Sequence, residues 1–169
     1  MIMNNTIGVM GDSHDNLGLI RKAVSLFNET NVLHVLHTGD VVSPFAAKEL
    51  QKLSCPFTVT LGNNDGDKLK LKEVISSSGG KLLWPSAVLQ LVDKRVVLIH
   101  GEDPELAMAL AKSGDFSLVA YGHWHEALVK RVADSCLLVN PGETCGYLTG
   151  KPTVALVNLD ALEASLVDL

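Results

Sequence analysis

The sequence lacks the features of a secreted, disulfide-bonded or membrane-spanning protein. Its three cysteines, Cys55, Cys136 and Cys145, are far apart and include no Cys-x-x-Cys pair, which argues against a disulfide framework and against a thiolate metal cluster. Cys145 lies in a glycine-rich loop, where a small buried residue is favoured over a reactive thiol. No apolar run approaches the ~18 residues of a membrane-spanning helix, and the N-terminus has no secretory signal pattern. We expect a cytoplasmic protein without a membrane segment.

An excess of positive charge is missing as well. The chain has 14 Lys and Arg against 19 Asp and Glu, for a formal net charge of −5. Proteins that bind nucleic acid by bulk electrostatics are usually basic, so strong nucleic-acid binding is disfavoured. The charge does not exclude a small phosphate ester, because bound divalent metals would reverse the local potential.

What is present is the composition of a globular α/β protein. The 169 residues are 47% hydrophobic and 20% charged, and we expect residues 1–169 to form a single domain. Strand and helix patterns alternate from residue 7 to residue 61, which predicts parallel strands with right-handed crossovers. A hairpin around Asp93-Lys94, a helix over residues 104–112 and a strand over 118–121 follow. The last third is mostly β, with turns at Asp134-Ser135 and Asp160-Ala161.

Five predicted strands end in residues that commonly bind metals. In chain order these are Asp12 and His14, then Asp40, Asn63, His100, and finally His123 with His125. Each motif alone is better explained as a polar turn or a hydrogen-bonded histidine. Their regular placement after successive strands favours a ligand set at one sheet edge. Two carboxylates, four imidazoles and an amide suit divalent transition metals, and seven ligands fit two ions better than one.

The ordered series Asp-x-His, Gly-Asp, Gly-Asn-x-Asp, His-Gly and Gly-His-x-His resembles the calcineurin-like metallophosphoesterase superfamily, especially its small bacterial and archaeal phosphodiesterase branch. The similarity runs from Gly11 to the loop at Asn140-Pro141-Gly142. It implies an α/β fold, a four-layer αββα sandwich of two mixed β-sheets flanked by helices.

The resemblance also implies a site and a mechanism. Asp12, His14 and His125 would bind one metal ion, Asn63, His100 and His123 a second, and Asp40 would bridge them. Asp40, Asn63 and His123 are also predicted as catalytic residues. The two divalent ions, Mn, Ni, Fe or Zn, would hold a hydroxide that attacks a phosphodiester in line.

The sequence departs from the family pattern in three places. Asn64 stands where many relatives have a histidine that protonates the leaving group, which puts esters with poor leaving groups in doubt. Glu102 is expected outside the set of direct ligands. Trp124 is expected either to line the substrate pocket or to serve only in packing, and packing is supported at least as well.

Several other polar residues have weaker predictions. His37 is expected near the metals, and His34 as an ordinary strand histidine. Asp65 is expected to orient a ligand. For Asn140 and Glu143, a position bordering the site and a purely structural one are equally supported.

Two alternatives to a phosphodiesterase stay open at this point. The first is a protein-binding scaffold, because the small subunit of retromer resembles this fold yet serves as an interaction module. The second is a nuclease, which would need a basic approach surface. A small phosphate ester is the expected partner, but the sequence does not decide its identity, and it leaves a homo-oligomer open.

Overall fold

The computed structural model describes residues 5–133 and 135–169 and contains four helices and eleven strands within them. The helices are α1 (Leu17–Thr30), α2 (Pro44–Leu50), α3 (Lys68–Ser77) and α4 (Pro104–Lys112). The strands are β1 (Thr6–Met10), β2 (Val35–His37), β3 (Phe57–Val59), β4 (Lys81–Leu82), β5 (Ser86–Leu91), β6 (Lys94–Ile99), β7 (Leu118–Ala120), β8 (Leu128–Val132), β9 (Cys136–Asn140), β10 (Thr153–Asn158) and β11 (Glu163–Asp168).

The strands form two mixed sheets. The first has the order β11-β10-β1-β2-β3-β4 and the second the order β5-β6-β7-β9-β8. As predicted, β1, β2 and β3 pair in parallel, and β5 and β6 form an antiparallel hairpin. The carboxyl ends of the parallel strands β1, β2 and β3 therefore meet at one edge of the first sheet, and those of β6 and β7 meet at one edge of the second.

Three apolar clusters hold the layers together. One lies between the first sheet and α1 to α3, one between the two sheets, and one between the second sheet and α4. In β1, Ile7 and Val9 face the other sheet, whereas Met10 faces the helices, as the two-residue period of a strand requires. This arrangement is the predicted four-layer αββα sandwich, and that prediction is confirmed.

Local differences from the prediction concern short segments. Helix α3 ends at Ser77, and the two-residue strand β4, which follows it, was not predicted. Asp134, part of a predicted turn, lies outside the described residues. Within the described part of the chain, no helix is both long and apolar enough to cross a membrane.

Candidate metal centre

The seven predicted ligand residues come together where the parallel strands end. Asp12 and His14 follow β1, Asp40 follows β2, Asn63 follows β3, His100 follows β6, and His123 and His125 follow β7. The first four lie at the edge of the first sheet and the last three at the edge of the second. The structure thus places residues more than a hundred positions apart in the sequence beside one another.

The backbone at this edge takes an unusual conformation. Five of the seven residues have a positive φ: 46° at Asp12, 38° at His14, 57° at Asp40, 71° at His123 and 59° at His125. Side chains other than glycine rarely adopt this left-handed region. Such conformations cost of order 1–3 kcal/mol each and persist at functional sites where the surrounding structure enforces them.

Asp12, His14 and His125 form one group, which we call the first half of the site. Asp12 Oδ1 lies 3.7 Å from His125 Nε2, and the His14 and His125 rings are 5.1 Å apart between centroids. Asp12 is fully buried. Its Oδ2 accepts a hydrogen bond of 2.9 Å from the backbone N–H of His123.

Asn63, His100 and His123 form a second group, the second half of the site. Asn63 Oδ1 lies 3.0 Å from both His100 Nε2 and His123 Nδ1. His100 is buried, whereas Asn63 lies on an exposed loop.

Asp40 lies between the two halves. Its Oδ2 is 3.4 Å from His14 Nε2 and 3.6 Å from His100 Nε2. Asn64 holds this carboxylate from the other side: its backbone N–H donates to Oδ1 at 2.9 Å and its side-chain amide donates to Oδ2 at 2.8 Å.

The first half has the properties of a cation site. Among the described residues, Asp12 Oδ1 and His14 Nε2 are buried and have no hydrogen-bond partner. Leaving such atoms unsatisfied is costly, and a metal ion would satisfy both. Ligand atoms of Asp12, His14 and His125 can all lie within 4.8 Å of one another, as can those of Asp12, Asp40 and His100. The residues present therefore fit divalent cations.

Burial and mutual repulsion shape the protonation of the site. Burial, and then the negative charge of Asp40, raises the pKa of Asp12 to about 8. Burial lowers the pKa of His14 and of His123. Neutral imidazoles are the form that binds metals. A bound cation would also favour the ionised form of Asp12.

Glu143 orients His125. Its fully buried carboxylate lies 2.5 Å from His125 Nδ1. Burial raises the pKa of Glu143, but hydrogen bonds from His125, Thr149 and Leu148 outweigh it and hold that pKa at about 2. The ionised Glu143 therefore fixes the proton on His125 Nδ1 and leaves Nε2 facing the site.

Asp65 plays a comparable part for the backbone. Its carboxylate accepts N–H groups from Asp40, Val42 and Gly62 at 3.0, 2.7 and 2.7 Å. It thereby fixes the loop that carries Asp40, in keeping with the expectation that it orients a ligand.

The other polar residues singled out from the sequence lie around this centre. His37 is buried behind the ligands, where its Nδ1 accepts from the Gly39 N–H at 3.2 Å and its Nε2 lies 3.0 Å from Ser13 Oγ. His34 immediately precedes β2 and is not a strand residue as expected, but it makes an ordinary hydrogen-bond contact: its Nε2 lies 2.9 Å from Thr58 Oγ1. Asn140 donates to the Gly122 carbonyl at 3.2 Å.

Two hydrogen-bond partners of the predicted ligand residues could not be identified from the sequence. The Thr38 carbonyl, 2.8 Å from His100 Nδ1, is a backbone group that no residue type reveals. Glu143 was left undecided, because the Pro-Gly-Glu sequence indicates a loop but not the direction of its side chains. The available signal for Glu143 was that an acidic residue follows β9, a strand of the same sheet as β7, after which His125 lies.

Comparison with known proteins identifies the family of the chain. A profile described as the calcineurin-like phosphoesterase superfamily domain matches residues 6–162. The chain belongs to this superfamily. It is 40% identical, over 93% of its length and 95% of the relative's, to phosphodiesterase MJ0936 of Methanocaldococcus jannaschii. The family predicted from the sequence is thereby confirmed.

Solved structures show the same fold. A structure described as a novel archaeal phosphodiesterase superposes with a TM-score of 0.91 at 38% identity, covering 97% of this chain and 99% of that one. Vps29 of Chaetomium thermophilum superposes with a TM-score of 0.72 at 16% identity, covering 98% and 97% of the two chains. At that identity the second likeness concerns the fold alone.

Proposed function

We propose that the protein is a cytoplasmic, divalent-metal-dependent phosphodiesterase that acts on small, activated phosphate esters. The observation that carries the proposal is a pair of buried side-chain atoms that make no hydrogen bond among the described residues, Asp12 Oδ1 and His14 Nε2, beside the carboxylate of Asp40. Membership of the superfamily and the 40% identity to an archaeal phosphodiesterase support it.

The ligand assignment follows the two halves of the site. We assign Asp12, His14 and His125 to one ion and the second half, Asn63, His100 and His123, to the other. Asp40 would contact both ions, because its Oδ2 lies within 3.6 Å of a histidine from each half. The mixed oxygen and nitrogen ligands suit manganese, nickel, iron or zinc.

Two divalent ions would lower the pKa of a water molecule toward neutrality and neutralise charge on the phosphate oxygens. The residues of the chain hold the reacting groups in place. Asn64 and Asp65 fix Asp40 and its loop, and Glu143 fixes His125. This rigid positioning is the main contribution that a protein makes to phosphoryl transfer.

A side-chain nucleophile is not required. Ser13 and His37 form a Ser–His contact of 3.0 Å, but both are buried, and burial lowers the pKa of His37 to about 3. Burial raises the pKa of Cys145 to about 12, which keeps its thiol protonated. Neither the Ser13–His37 pair nor Cys145 offers an activated nucleophile to a substrate.

Leaving-group chemistry limits the substrate. Asn64 occupies the position of the family's acidic histidine, and its side-chain amide is committed to Asp40. An amide cannot act as a general acid. We expect esters with good leaving groups, such as p-nitrophenolate, to be hydrolysed far faster than alkyl esters.

Metal titration and turnover test the proposal together. Chelator-treated protein should bind two equivalents of Mn²⁺ and hydrolyse bis(p-nitrophenyl) phosphate. Asp40→Asn should reduce both metal binding and turnover, whereas Asp115→Asn, on an exposed residue outside the site, should change neither. Circular dichroism checks that both variants fold. Absence of turnover on every activated mono- and diester with Mn²⁺, Ni²⁺, Fe²⁺ and Zn²⁺ would overturn the proposal.

A further inference from the structure

An apolar groove of about 420 Å³ lies on the outer face of the second sheet. Val88 of β5 and Val97 and Ile99 of β6 line it, and Leu106 and Leu110 of α4 line it opposite these strands. Its volume lies within the range of small-molecule pockets. Val88 and Leu106 are each about half exposed, at 50% and 52%, so the groove is open to a ligand.

One end of the groove adjoins the second half of the site. β6 runs toward the candidate metal centre, and His100 and Gly101, which follow it, line this end. Trp124 connects the two regions: its indole N–H donates to the Gly101 carbonyl at 3.0 Å. Its ring also packs edge-on against His123, with centroids 5.4 Å apart.

The charges around the groove disfavour an anionic ligand. Glu102 and Asp103 lie at the end nearest the site, and none of the described residues that line the groove is Lys or Arg. Arg95 lies at the far end, with its guanidinium 4.9 Å from the centre of the Phe116 ring. A second phosphate or carboxylate near the site would meet two carboxylates, of which Asp103 caps α4, and no Lys or Arg among the described residues that line the groove.

We propose that the groove binds one substituent of the phosphate ester and that this substituent is an uncharged, apolar or aromatic group. The inference rests on the phosphodiesterase activity proposed above and names the substrate class. A polynucleotide is excluded as the preferred substrate, since its next phosphate would lie near Glu102 and Asp103. The burial of an aromatic ring against Val88, Ile99 and Leu106 supplies the binding energy.

Three diesters with the same p-nitrophenolate leaving group test the groove. Their other substituent is methyl, phenyl or 4-carboxyphenyl. We expect kcat/KM for the phenyl ester to exceed that of the methyl ester at least about tenfold. The carboxyphenyl ester should fall back toward the methyl ester, because its charge would be buried among apolar side chains in a groove whose described lining contains no Lys or Arg.

A charge introduced into the groove should change this order. Val88→Lys lies on β5, an edge strand of the second sheet, where lysine is well tolerated. It should lower kcat/KM for the phenyl ester and raise that for the carboxyphenyl ester about threefold, as expected for an exposed ion pair. The matched control is Leu166→Lys on β11, the edge strand of the first sheet, where the side chain is 43% exposed. The control should leave all ratios unchanged.

Ligand binding separates the failure of this inference from the failure of the activity. Calorimetry on the Mn²⁺-loaded protein should show phenylphosphonate binding about tenfold more tightly than methylphosphonate, and Val88→Lys should reduce the difference. Equal affinities, or equal kcat/KM for the three esters in an active enzyme, overturn the groove assignment while the proposed activity stands. Tighter phenylphosphonate binding without turnover overturns the activity alone.

If Val88→Lys instead dissociates an oligomer and leaves the ester ratios unchanged, the groove joins two copies of the chain and the inference is wrong.

Discussion

The two halves of the candidate metal centre satisfy their ligand atoms in different ways. In the first half, Asp12 Oδ1 and His14 Nε2 are buried and have no hydrogen-bond partner among the described residues. In the second half, Asn63 Oδ1 is 3.0 Å from both histidines, and His100 Nε2 lies 3.3 Å from His123 Nδ1. The first half is therefore built around atoms that make no hydrogen bond within the chain and that a bound cation would satisfy.

The halves also differ in what holds them. Behind His125 lies the buried carboxylate of Glu143, itself fixed by the Thr149 hydroxyl at 2.7 Å. Behind His100 lies a neutral backbone carbonyl, that of Thr38. Asn63, the oxygen ligand proposed for the second half, is on an exposed loop.

This difference implies unequal affinities for metal. The first half contributes a carboxylate of its own, Asp12, whereas the second half contributes a neutral amide, Asn63. Both share Asp40. Because more ligand charge and a more rigid site favour cation binding, we expect the first half to bind the first equivalent of metal and the second half to bind the next one more weakly.

Removal of one ligand from each half should produce the largest effects. Asp12→Asn should abolish the tighter step in a calorimetric Mn²⁺ titration, and Asn63→Ala should abolish the weaker one. Each loss should reduce turnover of bis(p-nitrophenyl) phosphate by at least about a hundredfold, since each ion contributes several kcal/mol to stabilising the transition state.

A histidine outside the site provides the control for these variants. His34 bonds to Thr58 at the opposite end of the strands, and His34→Gln should keep both binding steps. Loss of the tighter step in Asn63→Ala would contradict the proposed inequality between the halves.

Gly62→Ala should disturb both halves at once, because it acts on the shared carboxylate. A Cβ at this position would lie 2.1 Å from Asp40 Oδ1 and 2.7 Å from the His100 ring. We expect about a hundredfold loss of turnover from misplaced ligands and a decrease of about 1–3 kcal/mol in the free energy of unfolding. Gly66→Ala in the same loop is the matched control, because its nearest neighbour would be 3.7 Å away. Equal losses in both variants would assign the effect to the loop.

Glu143→Gln should affect only the first half. A glutamine keeps the shape of the side chain but loses the charge that fixes the proton on His125 Nδ1. Loss of such a supporting carboxylate typically costs 10–100-fold in metal affinity, and we expect this loss in the tighter step alone. Glu102→Gln, an exposed carboxylate beside the second half, should leave both steps unchanged. A change in the weaker step of Glu143→Gln would show that the halves are not independent.

The sequence predicted that Asp12, Asp40 and Asn63 meet, because parallel strands gather their carboxyl ends at one edge. That argument does not pair Asp12 with His125, because β1 and β7 belong to different sheets; their grouping across 113 residues was implied by the family resemblance. The backbone conformations at the site could not be predicted, since a positive φ at Asp12 or His123 is enforced by tertiary contacts against local preference. The two-residue strand β4 depends on pairing with β3 and is too short to show a pattern of its own.

The groove beside His100 was not predicted either. From the sequence, Trp124 could either pack or line a substrate pocket, and in the structure it contacts both His123 and Gly101. The lining residues come from β5, β6 and α4, and their individual patterns are those of ordinary half-buried elements. Only their assembly in three dimensions defines the cavity.

The smallest expected effect is a pH dependence of stability that belongs to the first half alone. The pKa of Asp12 is raised to about 8 from a model-peptide value near 3.8, so between these values the folded protein binds more protons than the unfolded chain. Stability of the metal-free protein should therefore fall as pH rises. Near and below pH 7 the histidines have the opposite effect, because the pKa is lowered to about 3 at His37 and to about 4 at His34, and is also lowered at His14 and His123. The contribution of Asp12 should therefore be seen between pH 6.5 and 8 as a decline in the stability of the parent protein relative to Asp12→Asn.

Its size is set by at most one proton, at up to about 1.4 kcal/mol per pH unit, and it reaches about 1.5 kcal/mol over this range because Asp12 is itself half ionised near pH 8. Urea unfolding in the presence of chelator should show this decline in the parent protein and in Asn63→Ala, each compared with Asp12→Asn at the same pH. Saturating Mn²⁺ should remove it, because a cation favours the ionised carboxylate. The same decline in Asp12→Asn would place the responsible group elsewhere. If Asn63→Ala removed the decline, the two halves would be energetically coupled through Asp40. They would then be separate groups of residues in the structure, but the protonation of Asp12 would depend on the second half.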